Sequence, residues 1–160
     1  MTKNIGDTIK WIENASEKSE IVEKIILSLP RWFGIDSANE MYINEVKKYK
    51  MIASFDENKA VGFLSIKETS NVAVEIYLIG VLPEFHRFGI GKKLFYAAYS
   101  HMKKRGFKYF TVKTLDPARE DEGYQKTRFF YESLGFEKLE TFPDLWSKEN
   151  PCLMLIKTIE

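Results

Sequence analysis

The stretch that most constrains this chain is Val72–Lys92, in which a run of strand-forming residues passes through Pro83 into two glycines and then a helix. The run alternates in two registers, and both registers are apolar except at Glu75. A strand that is apolar on both sides is covered on both faces and lies inside its sheet. The stretch therefore predicts a central strand that leads directly into a helix.

The two glycines at this junction, Gly89 and Gly91, predict an anion site. Because neither has a side chain, the backbone N–H groups from Arg87 to Lys92 can approach a ligand closely. The start of the following helix adds partial positive charge, which suits a phosphate group. The same spacing also occurs in ordinary tight turns, so the glycines alone leave that alternative open.

Two motifs resemble those of one enzyme family. The residues from Val81 to Gly91, VLPEFHRFGIG, resemble the acyl-CoA-binding motif of the GCN5-related N-acetyltransferase (GNAT) superfamily. Further along the chain, Phe129–Phe136, FFYESLGF, resembles the second motif of that family. The two motifs together are more specific than either one. The family usually has Gln or Arg where this chain has His86, and Arg87 follows directly.

The resemblance implies an α/β fold of the GNAT type. Its mixed, twisted sheet is expected to have about six to seven strands with helices on both faces. Residues 1–160 are expected to form a single domain that uses acetyl-CoA as co-substrate and needs no metal. The residues that the resemblance assigns to coenzyme A are Ile79, Gly80, Val81, His86, Arg87, Phe88, Gly89, Ile90, Gly91, Lys92 and Thr127.

The resemblance also implies two catalytic residues, Glu75 and Tyr131. Acyl transfer to an amine needs a base, because a free alkyl amine titrates near pH ~10. Glu75 matches the glutamate base of the histone-acetylating branch, and Tyr131 matches the tyrosine that protonates the leaving thiolate. Backbone N–H groups near Ile79–Val81 would stabilise the oxyanion. From the residues alone, Glu75 also suits a solvated strand end and Tyr131 a tyrosine of the core.

Periodicity and turn residues predict the remaining elements. The helices are expected at Ser16–Leu29, after a capping box of Ser37 and Glu40, after the two glycines, and at Gln125–Leu134. Besides the central strand, strands are expected at Asp7–Ile12, Met51–Phe55, Lys59–Ile66, Phe107–Val112, Phe136–Phe142 and Cys152–Ile156. Gly80 is a candidate site for a bulge in the central strand.

Four aromatic residues are candidates for the acceptor site. Trp32 and Phe33 lie in an apolar connector, Tyr77 follows Glu75 in the strand, and Trp146 lies in a predicted loop over residues 143–151. The connector aromatics also suit a plug in the core, and Trp146 suits a packed residue of a hairpin loop. Five acidic residues would favour a cationic acceptor, although a solvated loop explains them equally: Asp116, Glu120, Asp121, Glu122 and Asp144.

Composition narrows the possible partners and location. Lys and Arg total 24 against 23 Asp and Glu, a formal net charge of +1, so a nucleic-acid partner is not expected. No apolar run reaches the ~18 residues that a membrane span needs. The single cysteine, Cys152, excludes an intrachain disulfide, and no Cys/His cluster has metal-ligand spacing. We therefore expect a cytoplasmic protein that binds neither metal nor membrane.

The expected reaction is direct transfer of an acetyl group to the primary amine of a small molecule, within a ternary complex. Two alternatives remain open at this stage. The acceptor could instead be a peptide or protein, acetylated at its N-terminus or at a lysine. The chain could also be a non-catalytic sensor that binds acyl-CoA, and the prediction leaves a homodimer open.

Overall fold

The structure of the protein, a computed structural model, describes residues 5–160. Seven strands are found in this part of the chain: β1 Thr8–Ile12, β2 Lys50–Asp56, β3 Lys59–Glu68, β4 Ala73–Val81, β5 Tyr109–Leu115, β6 Glu137–Ser147 and β7 Asn150–Thr158. The α-helices are α1 Ala15–Leu27, α2 Asp36–Glu45, α3 Ile90–Lys104 and α4 Glu122–Ser133. The strands form one mixed sheet in the order β1-β2-β3-β4-β5-β7-β6, which confirms the predicted α/β class.

The sheet contains one parallel pair, β4 with β5, beside antiparallel pairs such as β1–β2, β5–β7 and β6–β7. The register of the parallel pair runs from Ala73 opposite Tyr109 to Ile76 opposite Val112. β4 nevertheless continues to Val81.

The chain divides into two compact units. The first unit contains the residues up to Lys67 together with Tyr77–Met102, and the second unit contains Glu68–Ile76 and Lys103–Glu160. β4 contributes its beginning to the second unit and its end to the first. Each unit has its own buried apolar core.

In the first unit, α1 and α3 cover opposite faces of the sheet. A Cβ atom on Gly80 would lie 3.0 Å from Ile25 of α1 and 3.0 Å from Phe63 of β3. A Cβ atom on the neighbouring Gly62 would instead lie 2.9 Å from Ile90, the first residue of α3. Successive residues of a strand point to opposite faces. The prediction of helices on both faces therefore holds within this unit.

The second unit has its own set of fully or almost fully buried apolar side chains, which are Val74, Ile76, Phe110, Val112, Leu115, Tyr131, Leu134, Phe136, Leu153 and Leu155. α4 begins at an Asp121 cap, whose carboxylate accepts the Tyr124 N–H at 3.0 Å. It ends before Gly135, which has a φ of +96°.

The predicted capping box of α2 is wrong. Ile35 precedes the helix and makes no side-chain cap, and Ser37 lies inside the first turn. The side chain of Asn39 instead donates to the Phe33 carbonyl at 2.9 Å, so the connector before α2 decides where the helix begins. Asn39 is buried and Met41 is exposed, so a polar residue of α2 faces inward and an apolar one faces solvent. No helix within residues 5–160 is long and apolar enough to cross a membrane.

Two of the later strands also differ from prediction. β5 begins at Tyr109 and runs to Leu115, because its pairing with β4 begins opposite Ala73. The predicted loop over residues 143–151 is mostly strand: β6 extends to Ser147, and β7 starts at Asn150. β6 is exposed on both sides, so its sequence has no hydrophobic period to reveal it.

Candidate active site

The loop before α3 has the geometry of an anion cradle. Arg87 and Gly89 both adopt left-handed backbone conformations, with φ of +76° and +71°. The first helical hydrogen bond of α3 joins the Lys93 N–H to the Gly89 carbonyl at 3.1 Å. The N–H groups of Ile90 to Lys92 therefore have no carbonyl within the helix to pair with. Because the first turn contains no acidic residue, its positive partial charge remains available to an anion.

The space at Gly89 is open. A Cβ atom built there would meet no heavy atom within 4 Å, so packing does not explain the glycine. Its left-handed backbone does, because a residue with a side chain is strained in this conformation. A loop whose N–H groups border open space fits a phosphate or diphosphate. The residues present therefore suit the group that the sequence predicted for them.

The beginning of α3 is held in place by close packing. Ile90 is 2% exposed, and it occupies the space where Cβ atoms on Gly6 and Gly62 would lie, at 2.7 and 2.9 Å. Lys93 forms an ion pair with Asp7 at 2.6 Å. These contacts fix the cradle to β3 and to the segment before β1.

His86 has a structural partner in the same loop. Its Nε2 atom lies 2.8 Å from the carbonyl oxygen of Val81, so the ring ties the loop to the end of β4. The ring also meets the edge of the Trp32 ring, with centroids 6.4 Å apart. Its predicted contact with a pyrophosphate stays a prediction.

An aromatic cluster runs from Phe33 towards the end of β4. We use this name for Phe33, Tyr42, Tyr49 and Tyr77, all of which are partly buried. Three edge-on pairs connect them, Phe33–Tyr42 at 6.1 Å, Tyr42–Tyr77 at 6.0 Å and Tyr49–Tyr77 at 4.8 Å. Burial raises the pKa of Tyr42.

Both connector aromatics are only partly buried, and Phe33 lies in one cluster with Tyr77. Tyr42 and Tyr49 were not predicted as members of this cluster. Tyr42 lies on a helix and Tyr49 precedes a strand, so no local signal joins them to Tyr77. Only the packing of α2 beside β4 brings the three rings together.

In the second unit, the candidate base Glu75 is 7% exposed and forms an ion pair. Its Oε2 atom lies 2.7 Å from Nζ of Lys113. Glu75 is paired with Thr111 across the parallel strands, and Lys113 shares the face of Thr111. The sequence analysis missed Lys113, although the alternation of β5 places it on the same face as Thr111.

Cys152 lies on the same side of the sheet, opposite Leu115 on β7, and is completely buried. Burial raises its pKa to about 11, although the charge of Lys113 lowers it; the carboxylates of Glu75 and Asp116 raise it further. The group is therefore a neutral thiol at physiological pH. This agrees with the prediction of a buried strand cysteine.

Two of the acidic residues predicted to favour a cationic acceptor have structural roles. Asp116 accepts hydrogen bonds from the Ala118 N–H at 2.9 Å and from the Thr141 hydroxyl at 2.8 Å. Asp121 caps α4. Glu120 and Asp144 are exposed. The loop therefore offers less free negative charge to an acceptor than its sequence suggests.

Tyr131, the candidate acid, lies in α4 with its ring against Phe130 and Phe136. It is 3% exposed, and burial raises its pKa well above the ordinary value, with a smaller effect from Tyr124. Its hydroxyl makes no hydrogen bond within residues 5–160, yet it is not among the sealed polar atoms that lack a partner. The phenol is therefore protonated, and its O–H remains available to a ligand.

Two other predicted site residues are placed differently. The Thr127 hydroxyl donates to the Gly123 carbonyl of its own helix at 3.1 Å, which leaves its predicted cofactor contact a prediction. Trp146 lies on β6 and is 48% exposed, so it is neither a packed loop residue nor part of a loop over the site. Arg128 of α4, which the sequence analysis did not select, is buried beside Tyr131.

Comparison with known proteins identifies the family to which both motifs belong. A family model described as "Acetyltransferase (GNAT) domain" matches residues 47–138, which is more than half of the chain and includes both motifs. No curated protein matches the chain in sequence.

Solved structures match almost the whole chain. A GNAT-family protein from Desulfovibrio desulfuricans has a TM-score of 0.80 at 13% identity, over 96% of this chain and 100% of that one. An aminoglycoside 6'-N-acetyltransferase complexed with coenzyme A has a TM-score of 0.74 at 19% identity, over 96% and 97%. The ribosomal-protein-S18-alanine N-acetyltransferase from Escherichia coli has a TM-score of 0.74 at 14% identity, over 96% and 95%. At these identities the likeness shows the shared fold.

The cradle geometry predicts that Gly89→Ala weakens coenzyme A binding by ~10-fold or more, because the alanine is strained by about 1–2 kcal/mol and its methyl group enters the open space. Titration calorimetry with coenzyme A measures this. The matched control is Gly106→Ala, since Gly106 has φ of +86° and open space around it but lies after α3. The control should lose similar stability and keep its affinity. Equal loss of affinity in both variants would contradict the cradle.

Proposed function

The chain belongs to the GNAT family of acetyltransferases, and on this basis we propose that it transfers an acetyl group from acetyl-CoA to the primary amine of a small molecule. The amine attacks the thioester directly while both substrates are bound. The observation that carries the proposal is the cradle, in which two left-handed residues precede a helix with no acidic residue in its first turn.

In this proposal the backbone of the cradle binds the diphosphate of coenzyme A. Lys92 is exposed in the first turn of α3, where its positive charge opposes the helix dipole. A bound phosphate offsets that repulsion. Lys93, by contrast, is already paired with Asp7 and contributes less.

The end of β4 is the second proposed binding element. Its register with β5 runs from Ala73 to Ile76 and the strand continues to Val81, and main-chain groups of Ile79–Val81 would bind the amide groups of the pantetheine arm. An N–H group of Ile79–Val81 would stabilise the oxyanion that forms when the amine attacks. Both assignments require only backbone atoms. Binding through the backbone also explains why the cradle motif tolerates His86 at its variable position.

Glu75 is the proposed base that removes the proton from the amine. Lys113 holds its Oε2 atom at 2.7 Å, which fixes the orientation of the carboxylate. The other oxygen, Oε1, makes no hydrogen bond within the described chain and is not sealed from solvent. It can therefore accept a proton directly or through a water molecule.

Tyr131 is proposed to donate a hydrogen bond to the sulfur atom that leaves. The sequence favoured a proton transfer between groups of similar pKa. Burial raises the pKa of this phenol, so it parts with its proton less readily than an exposed tyrosine. The phenol then stabilises the thiolate, whose thiol form has a pKa near ~8.5, as a hydrogen-bond donor that keeps its own proton.

The state of Cys152 supports direct attack. A route through an acyl-cysteine would need a thiolate that the substrate can reach. The thiol of Cys152 is completely buried, and its pKa is raised to about 11. The chain has no other cysteine, so the ternary-complex route is the one that its residues favour.

The aromatic cluster is the proposed site for the acceptor. Aromatic faces attract cations, and Nζ of Lys67 already lies 5.6 Å from the centre of the Tyr49 ring. Half-buried tyrosine rings also contact flat apolar groups. The acceptor class that suits this cluster is a primary amine carried on an apolar or aromatic body.

The proposal is tested by measuring coenzyme A release from acetyl-CoA with a panel of amines. The panel should include aromatic amines, polyamines, and peptides with a free N-terminus or lysine. We expect the highest kcat/KM for an aromatic or apolar primary amine. Turnover of peptides alone would favour a protein acceptor, and binding of acetyl-CoA without turnover of any amine would indicate a sensor.

The second prediction concerns Tyr131→Phe, which should lower kcat by ~10²-fold with little change in acetyl-CoA affinity. The control Tyr96→Phe changes an exposed tyrosine of α3 and should leave kcat unchanged. Because the phenol pKa lies above its ordinary value of 10.0, this group stays protonated as pH rises from 7 to 10. A kcat that falls across that range in the wild type but not in Tyr131→Phe would contradict this assignment.

The third prediction distinguishes a role of Glu75 as the base from a role in its ion pair with Lys113. Glu75→Gln should lower kcat by ~10²-fold, and so should the double variant Glu75→Gln with Lys113→Gln, which removes both charges together. Lys113→Gln alone keeps the carboxylate and should retain most of the activity. If the double variant recovers wild-type kcat, the loss in Glu75→Gln comes from the unpaired lysine, and Glu75 is not the base.

A further inference from the structure

Arg128 of α4 is a buried cation without a counterion. It is 9% exposed, and its Nη1 atom donates a hydrogen bond to the Leu115 carbonyl at 2.7 Å. Within residues 5–160 it makes no other hydrogen bond and no ion pair. An arginine is always charged and carries five N–H donors, so most of its binding capacity is unused.

The nearby carboxylates are committed elsewhere or point into solvent. Asp116, next to Leu115, is occupied by the Ala118 N–H and the Thr141 hydroxyl. Glu132, one turn further along α4, is exposed and forms no ion pair with Arg128. A buried charge that has only one neutral partner is unfavourable. This arrangement is explained if an anion completes it.

The unused part of the guanidinium can be reached by a ligand. The sealed side-chain atoms without a partner in the described chain are Asn39 Oδ1, Ser65 Oγ and Thr114 Oγ1. The remaining nitrogens of Arg128 are not among them, so they touch solvent.

The position of Arg128 on α4 connects it to the chemistry. Arg128 and Tyr131 lie three residues apart, and residues at this spacing are neighbours on one helix face. Both are buried on the inner side of α4. An anion bound to Arg128 would therefore lie close to the Tyr131 hydroxyl, which the proposed function places at the sulfur of the thioester.

We propose that Arg128 binds a carboxylate carried by one of the two substrates. This inference rests on the proposed function, because it uses the position of Tyr131 at the thioester. The groups that meet there are the acyl chain and the acceptor, and the anionic group that either can carry is a carboxylate. The planar guanidinium matches the two oxygens of that group with parallel hydrogen bonds. The donor would then be a dicarboxylic acyl-CoA, or the acceptor an amino acid.

Paired ligands that differ only by a carboxylate test the proposal. The donor arm compares succinyl-CoA with acetyl-CoA, and the acceptor arm compares phenylalanine with phenethylamine. Dissociation constants are measured by calorimetry, and kcat/KM by coenzyme A release. In one arm we expect the wild type to prefer the carboxylate-bearing ligand by ~10- to 100-fold, and Arg128→Met to lose that preference.

Two further variants control for structure. Arg119→Met removes an exposed arginine of the second unit and should keep the preference. Arg128→Lys keeps the charge but not the planar fork, and it should retain part of the preference. If Arg128 only holds the Leu115 carbonyl, Arg128→Met will lower the melting temperature and weaken both members of each pair equally. That result, or a wild type without preference in either arm, would overturn the proposal.

A failure of the proposed function can be distinguished from a failure of the carboxylate site. A third arm titrates N-acetylphenylalanine, N-succinylphenethylamine and N-acetylphenethylamine, which carry a carboxylate on the acceptor side, on the acyl side and on neither side, and which need no coenzyme and no turnover. If coenzyme A does not bind, the acetyltransferase proposal fails, and this third arm still decides whether Arg128 recognises a carboxylate. If coenzyme A binds and acetyl transfer occurs but Arg128→Met discriminates as the wild type does in every arm, only the carboxylate site is refuted.

Discussion

The structure depends on β4, the strand that leads directly into the cradle. The register of β4 with β5 runs from Ala73 to Ile76, and the strand continues to Val81. Main-chain groups that are left unpaired inside a protein are costly unless something satisfies them. β4 leads into the loop whose N–H groups border open space, so the groups that we propose bind coenzyme A follow one another along the chain.

Most of the buried charged side chains of the second unit have partners within the described chain. Glu75 is buried but paired with Lys113, and Asp116 is buried but satisfied by two hydrogen bonds. Arg128 differs, because its neighbours leave most of its donors unused. Buried polar groups in folded proteins are usually satisfied. The contrast among these side chains distinguishes residues that support the fold from Arg128, which we propose binds a ligand.

The sequence predicted the features that depend on local chain geometry. The glycines before α3, the carboxylate in β4 and the tyrosine of α4 stand within motifs that adjacent residues define, and the structure contains each element as expected. Lys113, Arg128 and the aromatic cluster were missed because their partners lie on other strands or helices. The predicted end of β6 came too early, because an edge strand exposed on both faces has no alternation of apolar residues. The capping box failed because Asn39 and the apolar connector set the start of α2.

The position of Cys152 has a practical consequence. It is the single sulfhydryl of the chain, it is inaccessible in the closed state, and it is protonated there. An alkylating reagent can react only after the strands around it separate. The rate of alkylation, followed by mass spectrometry, therefore measures how often the strands around β7 open transiently.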